Sequence, residues 1–267
     1  MKDFYPKRIV CLTEETTETL YLLGEQERIV GISGYTVRPA KARKEKPMVS
    51  AFIDARIDKI LELNPDLVIG FSDIQADIAQ ELIKNGITVW VNNHRSIEDC
   101  MKMMVQVGSL VGKERRAIEL VTAYKKRFDE VRSAVLKWKK RPTVYFEEWD
   151  DPMISGIEWV SELIELAGGN DIFKENRNAS LAKDRIIANT DILIDKNPDI
   201  ILASWCGKKF QQKALEAREN WSTISAIKSK QVFEIDSSVI LQPGPAALTD
   251  GFEQFHEIFK NWVNKKG

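Results

Sequence analysis

The sequence predicts an α/β protein with two domains built on parallel-rich sheets. Short runs of β-branched residues alternate along the chain with longer segments that carry apolar residues at helical spacing, which is the pattern of βαβ units. The chain has 267 residues, of which 43% are hydrophobic and 30% are charged. That composition is globular, and the length exceeds what one compact core usually absorbs.

The first half opens with a strand over residues 8–12 and a helix over residues 14–23 that Gly24 ends, because glycine accepts the left-handed backbone that closes many helices. The same alternation continues up to residue 111. We expect further strands over residues 28–32, 67–71 and 88–91, and further helices over residues 57–63, 74–84 and 96–111.

One long helix is predicted over residues 113–138. Apolar residues recur there every three or four positions through an otherwise charged segment, namely Ile118, Val121, Tyr124, Phe128, Val131, Val135 and Trp138. At about 1.5 Å per residue such a helix extends ~40 Å, and Arg141-Pro142 follows its end. The helix is long enough to join two domains; the alternative is a surface helix packed along one of them.

The second half repeats the alternation after Pro142. We expect strands over residues 143–146, 200–203 and 232–235, and helices over residues 159–166 and 246–263. The predicted organisation is an N-terminal α/β lobe over residues 1–112, an interdomain helix over residues 113–140 and a C-terminal α/β lobe over residues 141–267. Both lobes are expected to be Rossmann-like.

The two halves share short matching segments. Residues 63–69, LNPDLVI, match residues 196–202, KNPDIIL, and residues 18–24, ETLYLLG, match residues 162–168, ELIELAG. The Asn-Pro-Asp triplet suits a turn from helix into strand, because proline stops the helix and Asp tolerates the turn. One such triplet arises easily by chance, whereas two in equivalent places indicate related halves.

Charge and motif content exclude several classes of function. Lys plus Arg number 39 and Asp plus Glu 40, a net charge of −1, so no overall field attracts nucleic acid or an anionic membrane. Cys11, Cys100 and Cys206 form no CxxC pair, and two histidines cannot make a multi-histidine metal site. Signatures of nucleotide binding and of hydrolases are missing from the sequence. We therefore expect no nucleic-acid partner and no resident metal.

The N-terminal segment predicts no export signal. The first twelve residues hold only a four-residue apolar run, shorter than the hydrophobic stretch of a signal peptide. No window approaches the ~18 apolar residues of a membrane span. The chain as written is therefore expected to be soluble.

Candidate binding residues lie where predicted strands end, because open parallel sheets bind ligands at the carboxyl ends of their strands. The loops after Leu12, Phe71, Phe146 and Ala203 are rich in polar and aromatic residues. The candidates on these loops and on two further connections are Tyr35, Phe52, Ser72, Glu148, Trp149 and Trp205. Aromatic side chains with a few polar groups suit a large, partly apolar ligand. The alternative for the two tryptophans is that they cover the sheet edge.

The acidic run at residues 147–151 has two interpretations. Crowded carboxylates raise one another's pKa and could serve general acid/base chemistry. The same run is also typical of a solvated loop.

The order and spacing of several motifs resemble one family. RIVCLT at residues 8–13, ETLYLLG at 18–24, IVG at 29–31, ILELNPDLVI at 60–69, LAGGNDIF at 166–173 and PGP at 243–245 resemble the substrate-binding proteins of cobalamin and iron-siderophore ABC importers. The resemblance covers nearly the whole chain. It implies two α/β lobes joined by one long helix, with the ligand held in a cleft between the lobes.

The resemblance also assigns roles to single residues. Phe52 falls where cobalamin-binding members place an aromatic of the cleft, Tyr35 lies in the loop that contributes another, and Gln242 stands near the late loop that faces the ligand. Members of the family usually present one acidic residue per lobe to the permease. Asp58 matches the first such position, whereas the second falls near Leu241, which is not a carboxylate.

From this resemblance we expect a non-catalytic, monomeric substrate-binding protein that captures a corrinoid such as cobalamin for an ABC importer, in the periplasm or outside the cell. No cofactor is expected beyond the bound ligand. A cytoplasmic relative is the alternative for location. The alternatives for function are binding of a ferric siderophore or haem, or an enzyme that uses the same cleft with Glu148 or Cys206.

Overall fold

The computed structural model describes residues 4–266, and the chain divides into two compact units, each an α/β fold with its own sheet. The first unit contains the residues up to His94 together with Glu98–Ala123 and Gln242–Ala246. The second unit contains Arg95–Ile97, Tyr124–Leu241 and the residues from Ala247 onward. The α/β class predicted from the sequence is confirmed.

The sheet of the first unit is almost entirely parallel. Its strands are β1 (Ile9–Cys11), β2 (Ile29–Ser33), β3 (Met48–Ala51), β4 (Asp54–Ala55), β5 (Leu67–Phe71) and β6 (Val89–Asn92). They lie in the order β4-β3-β2-β1-β5-β6, and the two-residue β4 is antiparallel to β3. In the centre Ile9 pairs with Leu67 and Cys11 with Ile69. The carboxyl ends of five parallel strands therefore meet at one edge.

Buried apolar residues explain the central strands of this sheet. β5 reads Leu-Val-Ile-Gly-Phe, and all five of its residues are buried, as expected for a parallel strand that is covered on both faces. Val10, Val49, Val68 and Leu82 belong to one core cluster, to which strands and helices both contribute. This core holds the strand ends in fixed positions.

The helices of the first unit follow its strands. They are α1 (Glu14–Leu22), α2 (Ala42–Glu45), α3 (Ile57–Glu62), α4 (Ala76–Lys84) and most of α5 (Ile97–Leu110), with 3-10 turns over Gln26–Arg28 and Asp73–Gln75. The long helix predicted from the apolar spacing is observed as α6 (Glu114–Val135). Its residues up to Ala123 belong to the first unit and the remainder to the second.

The second unit has a mixed sheet. Its strands are β7 (Thr143–Asp150), β8 (Met153–Ser155), β9 (Asn170–Asp171), β10 (Ile200–Ala203) and β11 (Val232–Glu234). The order is β11-β10-β7-β8, and β9 also pairs with β7. β10 is parallel to both neighbours, whereas β8 is antiparallel to β7. Ala203 pairs with Glu147 and with Glu234, so these three residues mark one end of the parallel part.

The helices of the second unit are mostly short. They are α7 (Glu158–Ala167), α8 (Ile192–Lys196), α9 (Gln212–Glu216), α10 (Ser225–Lys228), α11 (Ser237–Ile240) and α12 (Phe252–Lys266), with 3-10 turns over Lys174–Asn176, Ala182–Arg185 and Trp221–Thr223 and a π-helix over Ala247–Gly251. The core contains large aromatic residues, and Tyr145, Phe173 and Trp221 pack edge to face. Edge-to-face packing is a favoured arrangement of aromatic rings.

The matching segments of the two halves have matching backbones. Asn64 and Asn197 are both left-handed, with φ values of 46° and 41°, a conformation that Asn tolerates better than most residues. Gly24 and Gly168, which follow the matched helices α1 and α7, also have positive φ, at 76° and 107°. The sequence match therefore marks two related turns in each unit.

The aspartates of the two Asn-Pro-Asp turns have equivalent partners. The Asp66 carboxylate accepts the backbone N–H groups of Lys7 and Arg8 at 2.7 and 2.9 Å. The Asp199 carboxylate accepts the backbone N–H and the hydroxyl of Thr143 at 3.1 and 3.0 Å. In each unit this Asp joins the start of its own strand to the start of the neighbouring parallel strand.

Several predicted elements differ in extent from the structure. The strand predicted over residues 143–146 runs on to Asp150, because β8 pairs with its second half. The predicted acidic loop is therefore mostly strand. The helix predicted over residues 74–84 begins as the 3-10 turn Asp73–Gln75, and the helix predicted over 246–263 begins as the π-helix Ala247–Gly251. Pairing with β8, which local periodicity does not contain, explains the longer strand.

Among residues 4–266, no helix combines the length and apolar character that crossing a bilayer requires.

Candidate functional site

The carboxyl edge of the first sheet carries exposed apolar side chains, which we term the first-unit rim. They lie on the connections that follow β2, β3 and β5. The rim consists of Tyr35, Val37, Phe52, Ile53 and Ile74, which are 36% to 71% exposed. Sequence reasoning identified the two aromatic members. It missed the three aliphatic ones, whose only signal is their position in strand-end connections.

Gln75 is fully buried and joins three strand-end connections. Its Oε1 accepts the backbone N–H of Phe71 at 2.8 Å, and its Nε2 donates to the carbonyl of Phe52 at 2.8 Å. The same nitrogen lies 3.5 Å from the carbonyl of Leu12. A Cβ at Gly70 would lie 3.0 Å from Oε1, so the glycine leaves room for this amide. Nothing in the local sequence pattern marks Gln75 as special, and sequence reasoning missed it.

Ser72, predicted to contact the ligand, is buried and forms a turn. Its backbone is left-handed, with a φ of 61°. Its hydroxyl donates to Asp73 at 2.8 Å and accepts the N–H of Ile74 at 3.3 Å, which caps the 3-10 turn Asp73–Gln75. A contact of Ser72 with ligand stays a prediction, and its observed role is to turn the chain after β5.

Two adjacent carboxyl groups, Glu14 and Glu15, are buried in the first turn of α1. Burial, to which the neighbouring Glu14 adds, raises the pKa of Glu15 to about 8. Burial also raises the pKa of Glu14. The hydroxyl of Thr13 donates to Oε1 of Glu15 at 2.5 Å, and Nε2 of His94 lies 4.0 Å from the same oxygen. Glu15 therefore carries a proton at neutral pH.

The segment Gln242–Ala246 belongs to the first unit and packs on these carboxyls. The side chain of Gln242 is half-buried and hydrogen-bonds Glu14. A Cβ at Gly244 would clash with the Cβ of Glu15, so the close approach requires glycine. Gln242, predicted from the resemblance to contact ligand, is therefore anchored on the same unit as the rim.

In the second unit, Glu147 is fully buried at the end of the parallel pairing between β7 and β10. Arg218 donates to its two carboxylate oxygens at 2.5 and 3.0 Å. The hydroxyl of Tyr145 and the indole Nε1 of Trp205 each donate to it at 3.0 Å. Burial, followed by the Glu147 charge, raises the pKa of Tyr145 well above its ordinary value. Trp205, a predicted ligand contact, is only 4% exposed, and its indole N–H is directed at Glu147.

Glu148, another predicted contact, pairs with a buried arginine. Both of its oxygens accept from Arg185, at 2.6 and 3.0 Å. The Arg185 side chain is 2% exposed and that of Glu148 is 18% exposed. Two parallel charge-assisted bonds of this kind hold both partners in one orientation. A ligand contact of Glu148 stays a prediction, since this carboxylate already compensates a buried cation.

Trp149 is more accessible than Trp205 and offers an aromatic surface on the second unit. It is half-buried, and its Nε1 donates to the carbonyl of Asp151 at 2.9 Å. Lys208 pairs with Asp150 at 2.6 and 2.9 Å, and its Nζ lies 5.4 Å from the ring centroid of Trp149 and 5.1 Å from that of Trp205. An aromatic face beside a cation suits a partly apolar ligand with a polar group.

The three cysteines differ in exposure. Cys206 is exposed, whereas Cys11 and Cys100 are buried. Burial raises the pKa of Cys11 to about 12, which leaves that thiol unreactive. Within the described part of the chain, no three His, Cys, Asp or Glu residues are arranged to hold a metal ion. Asp58, the predicted docking residue, is exposed in the first turn of α3.

Comparison with known proteins identifies the family. The two sheets define a protein of two α/β units. A sequence profile described as periplasmic binding protein matches residues 9–239. The chain therefore belongs to the periplasmic binding protein family, as the resemblance in the sequence implied.

Two curated relatives illustrate the similarity. An uncharacterized ABC transporter substrate-binding lipoprotein of Bacillus subtilis is 28% identical over 262 residues, which cover 94% of this chain and 79% of the relative. A vitamin B12-binding protein of Vibrio vulnificus is 23% identical over 269 residues, which cover 97% of this chain and 92% of the relative.

Two solved structures share the fold. The periplasmic vitamin B12-binding protein of Vibrio cholerae superposes with a TM-score of 0.76 at 20% identity, covering 97% of this chain and 98% of that structure. A haem complex of a Staphylococcus aureus protein superposes with a TM-score of 0.78 at 22% identity, covering 94% of this chain and 98% of that structure. At these identities the likeness establishes the fold.

Proposed function

We propose that the protein is a non-catalytic, monomeric substrate-binding protein that captures a corrinoid, such as cobalamin, for an ABC importer. The first-unit rim carries this proposal, because five large apolar side chains are exposed at the edge where α/β sheets bind ligands. Exposed apolar surface of this kind marks a binding site for a ligand with extensive apolar area of its own. The vitamin B12-binding relative supports a corrinoid as that ligand.

The second unit supports the same ligand class through different groups. Trp149 offers a half-buried aromatic face, and Lys208 lies over it. A corrinoid combines an apolar macrocycle with polar amide side chains, so an aromatic face with a neighbouring ammonium group matches it. Trp205 is buried, and its indole N–H is bonded to Glu147. We propose that it acts mainly through packing.

A haem ligand is the second candidate, because a structural neighbour is a haem complex. Haem has a macrocycle, as a corrinoid does, but its polar side chains are carboxylates, whereas those of a corrinoid are amides. A ferric siderophore is the third candidate ligand, and it has less apolar surface than a corrinoid or haem. Calorimetric titration with members of each ligand class distinguishes the three candidates.

The enzyme alternative has less support. Its proposed acid or base, Glu148, is held by two bonds from Arg185, and the acidic run around it belongs mostly to a paired strand. A catalytic base needs a free lone pair directed at the substrate. We therefore propose that Glu148 has a structural role.

We further propose that the protein acts outside the cytoplasmic membrane, as a relative described as a lipoprotein suggests. Asp58 is exposed at the start of α3 and is proposed to contact an arginine of the permease. Charge reversal by Asp58→Arg should abolish ligand-dependent stimulation of the permease ATPase while leaving ligand affinity unchanged. Stimulation that survives the reversal would remove Asp58 from the docking surface.

Calorimetric titration tests the ligand. The purified protein is titrated with cyanocobalamin, dicyanocobinamide, haemin and a ferric hydroxamate siderophore. Saturable one-to-one binding of the two corrinoids supports the proposal. Binding of haemin or of the siderophore alone moves the protein to that ligand class, and silence with all four overturns the proposed function.

A matched pair of isoleucines tests whether the ligand binds at the first-unit rim. Ile53 lies on the rim and is 71% exposed, whereas Ile83 lies on α4 of the same unit and is 60% exposed. Ile53→Ala should weaken corrinoid binding about fivefold to thirtyfold, the equivalent of burying one aliphatic side chain. Ile83→Ala should leave the affinity unchanged. Equal effects of the two substitutions would show that the ligand does not contact the rim.

A further inference from the structure

Phe52 and Phe71 share a single side-chain amide. The oxygen of Gln75 holds the backbone N–H of Phe71, and its nitrogen holds the backbone carbonyl of Phe52, both at 2.8 Å. The rings of the two phenylalanines lie 6.2 Å apart, centroid to centroid, with planes tilted by 34°. Gln75 thus connects the backbones of two residues whose rings are in contact.

Within residues 4–266, few other hydrogen bonds hold the connection that carries Phe52. The hairpin between β3 and β4 pairs only Ser50 with Ala55 and Ala51 with Asp54. Ile53, at its tip, is 71% exposed. A two-residue strand supplies little rigidity, so the bond from Gln75 is a main restraint on the Phe52 backbone.

The side chain of Gln75 is committed to these bonds. It is fully buried, and a buried amide left without partners costs about 1–3 kcal/mol. Gly70 makes the geometry possible, because a larger residue there would meet Oε1 at 3.0 Å or closer. Ser72 caps the 3-10 turn that contains Gln75, directly after β5.

We propose that Gln75 is the positioning residue of the first-unit rim, which holds Phe52 on Phe71 so that the exposed ring is already oriented when the ligand arrives. The ligand part of this inference rests on the proposed function. A ring that is fixed before binding loses less conformational freedom on binding, and affinity rises accordingly. Gln75 itself, being buried, acts only through Phe52.

A double-mutant cycle with cyanocobalamin tests the coupling. Phe52→Ala and Gln75→Leu should each weaken binding, by about tenfold and threefold to tenfold respectively. The double variant should bind no more than about twofold more weakly than Phe52→Ala alone, because Gln75 has nothing left to position. Gln80→Leu, on an exposed position of α4, is the matched control and should bind as the wild type does. Effects that multiply in the double variant would overturn the proposal.

Gln75→Glu provides a variant that pH can rescue. Position 75 is fully buried, and burial raises the pKa of a carboxyl above its ordinary value of about 4.3. At pH 5 the introduced carboxyl is therefore protonated, so it can donate to the Phe52 carbonyl and accept from Phe71. At pH 9 it is ionised and cannot donate. The ratio of its cyanocobalamin affinity to that of the wild type should approach one at pH 5 and fall at least about tenfold at pH 9. A ratio that does not change with pH would contradict positioning through this donated bond.

Amide hydrogen exchange without ligand separates this inference from the proposed function. Gln75→Leu should raise exchange of the Phe71 amide, and of the Arg56 amide that bonds the Val49 carbonyl across the hairpin, at least about tenfold, whereas Gln80→Leu should not. If the wild type binds no cyanocobalamin but exchange rises as expected, the corrinoid proposal fails and the restraint on Phe52 stands. If exchange is unchanged, the positioning role fails whatever the ligand.

Discussion

Both terminal nitrogens of the Arg218 guanidinium donate hydrogen bonds to the fully buried Glu147, one to each carboxylate oxygen. Seventy-one positions separate the two residues in sequence. Tyr145 and Trp205 add neutral donors to the same carboxylate. A buried carboxylate with this many donors has its charge fully compensated, which makes the loss of any single partner costly.

Removing the cation should therefore destabilise the second unit. Arg218→Ala leaves Glu147 charged and buried, and we expect the free energy of unfolding to fall by about 3–5 kcal/mol. Arg127 pairs with Glu253 on the surface, where both side chains are about 45% exposed. Arg127→Ala should cost less than about 1 kcal/mol. Urea unfolding of both variants checks the contrast, and equal losses would contradict it.

The two tryptophans predicted to contact ligand should behave differently. Trp205 is 4% exposed and donates to Glu147, so Trp205→Ala should cost about 3–5 kcal/mol of unfolding free energy. Trp149 is half-buried, and Trp149→Ala should cost less than half as much while weakening cyanocobalamin binding. Thermal unfolding and calorimetry on the two variants provide the test. A Trp205→Ala variant that is more stable than Trp149→Ala would place Trp205 outside the core.

The protonated Glu15 predicts a pH dependence of stability. Its pKa is about 8 in the folded chain, against an ordinary value of 4.5. Between these values the folded state binds the proton more tightly than the unfolded state, so this stabilising contribution is complete below pH 4.5 and is lost as pH rises through 8.

Glu15→Gln removes this dependence. Relative to the wild type, the variant should gain at least about 1.4 kcal/mol of unfolding free energy between pH 5 and pH 8.5, the equivalent of one pKa unit. Urea unfolding at the two pH values measures the gain. Parallel pH profiles for the two proteins would show that Glu15 ionises normally.

The Asn-Pro-Asp turns predict a third energetic contrast. Asp199 accepts two bonds from Thr143, and Asp199→Ala should cost about 1–3 kcal/mol, the range for bonds to a charged group. Asp195, exposed on α8, is the control, and Asp195→Ala should change stability by less than about 0.5 kcal/mol. Denaturant unfolding compares the two, and an equally mild Asp199→Ala would mean that the turn aspartate contributes no net stability.

The residues predicted to contact ligand differ in their observed surroundings. Tyr35 and Phe52, which were chosen as residues of connections and from the family resemblance, are exposed at a carboxyl sheet edge. Ser72, Glu148 and Trp205 were chosen because they follow the ends of predicted strands, yet each is bonded within its own unit. A strand-end position places a residue at the edge of the sheet but does not determine whether its side chain points to solvent or to a buried partner.

The sequence by itself determined the α/β class, the long helix α6, and the paired Asn-Pro-Asp turns. These features depend on apolar spacing and turn chemistry, which act between residues a few positions apart. Only the tertiary structure decided that Gln75 holds Phe52, that Arg185 neutralises Glu148 and that Arg218 neutralises Glu147. Each of these pairs spans 23 or more positions, and a buried polar group takes whichever partner the packed chain brings within hydrogen-bond distance.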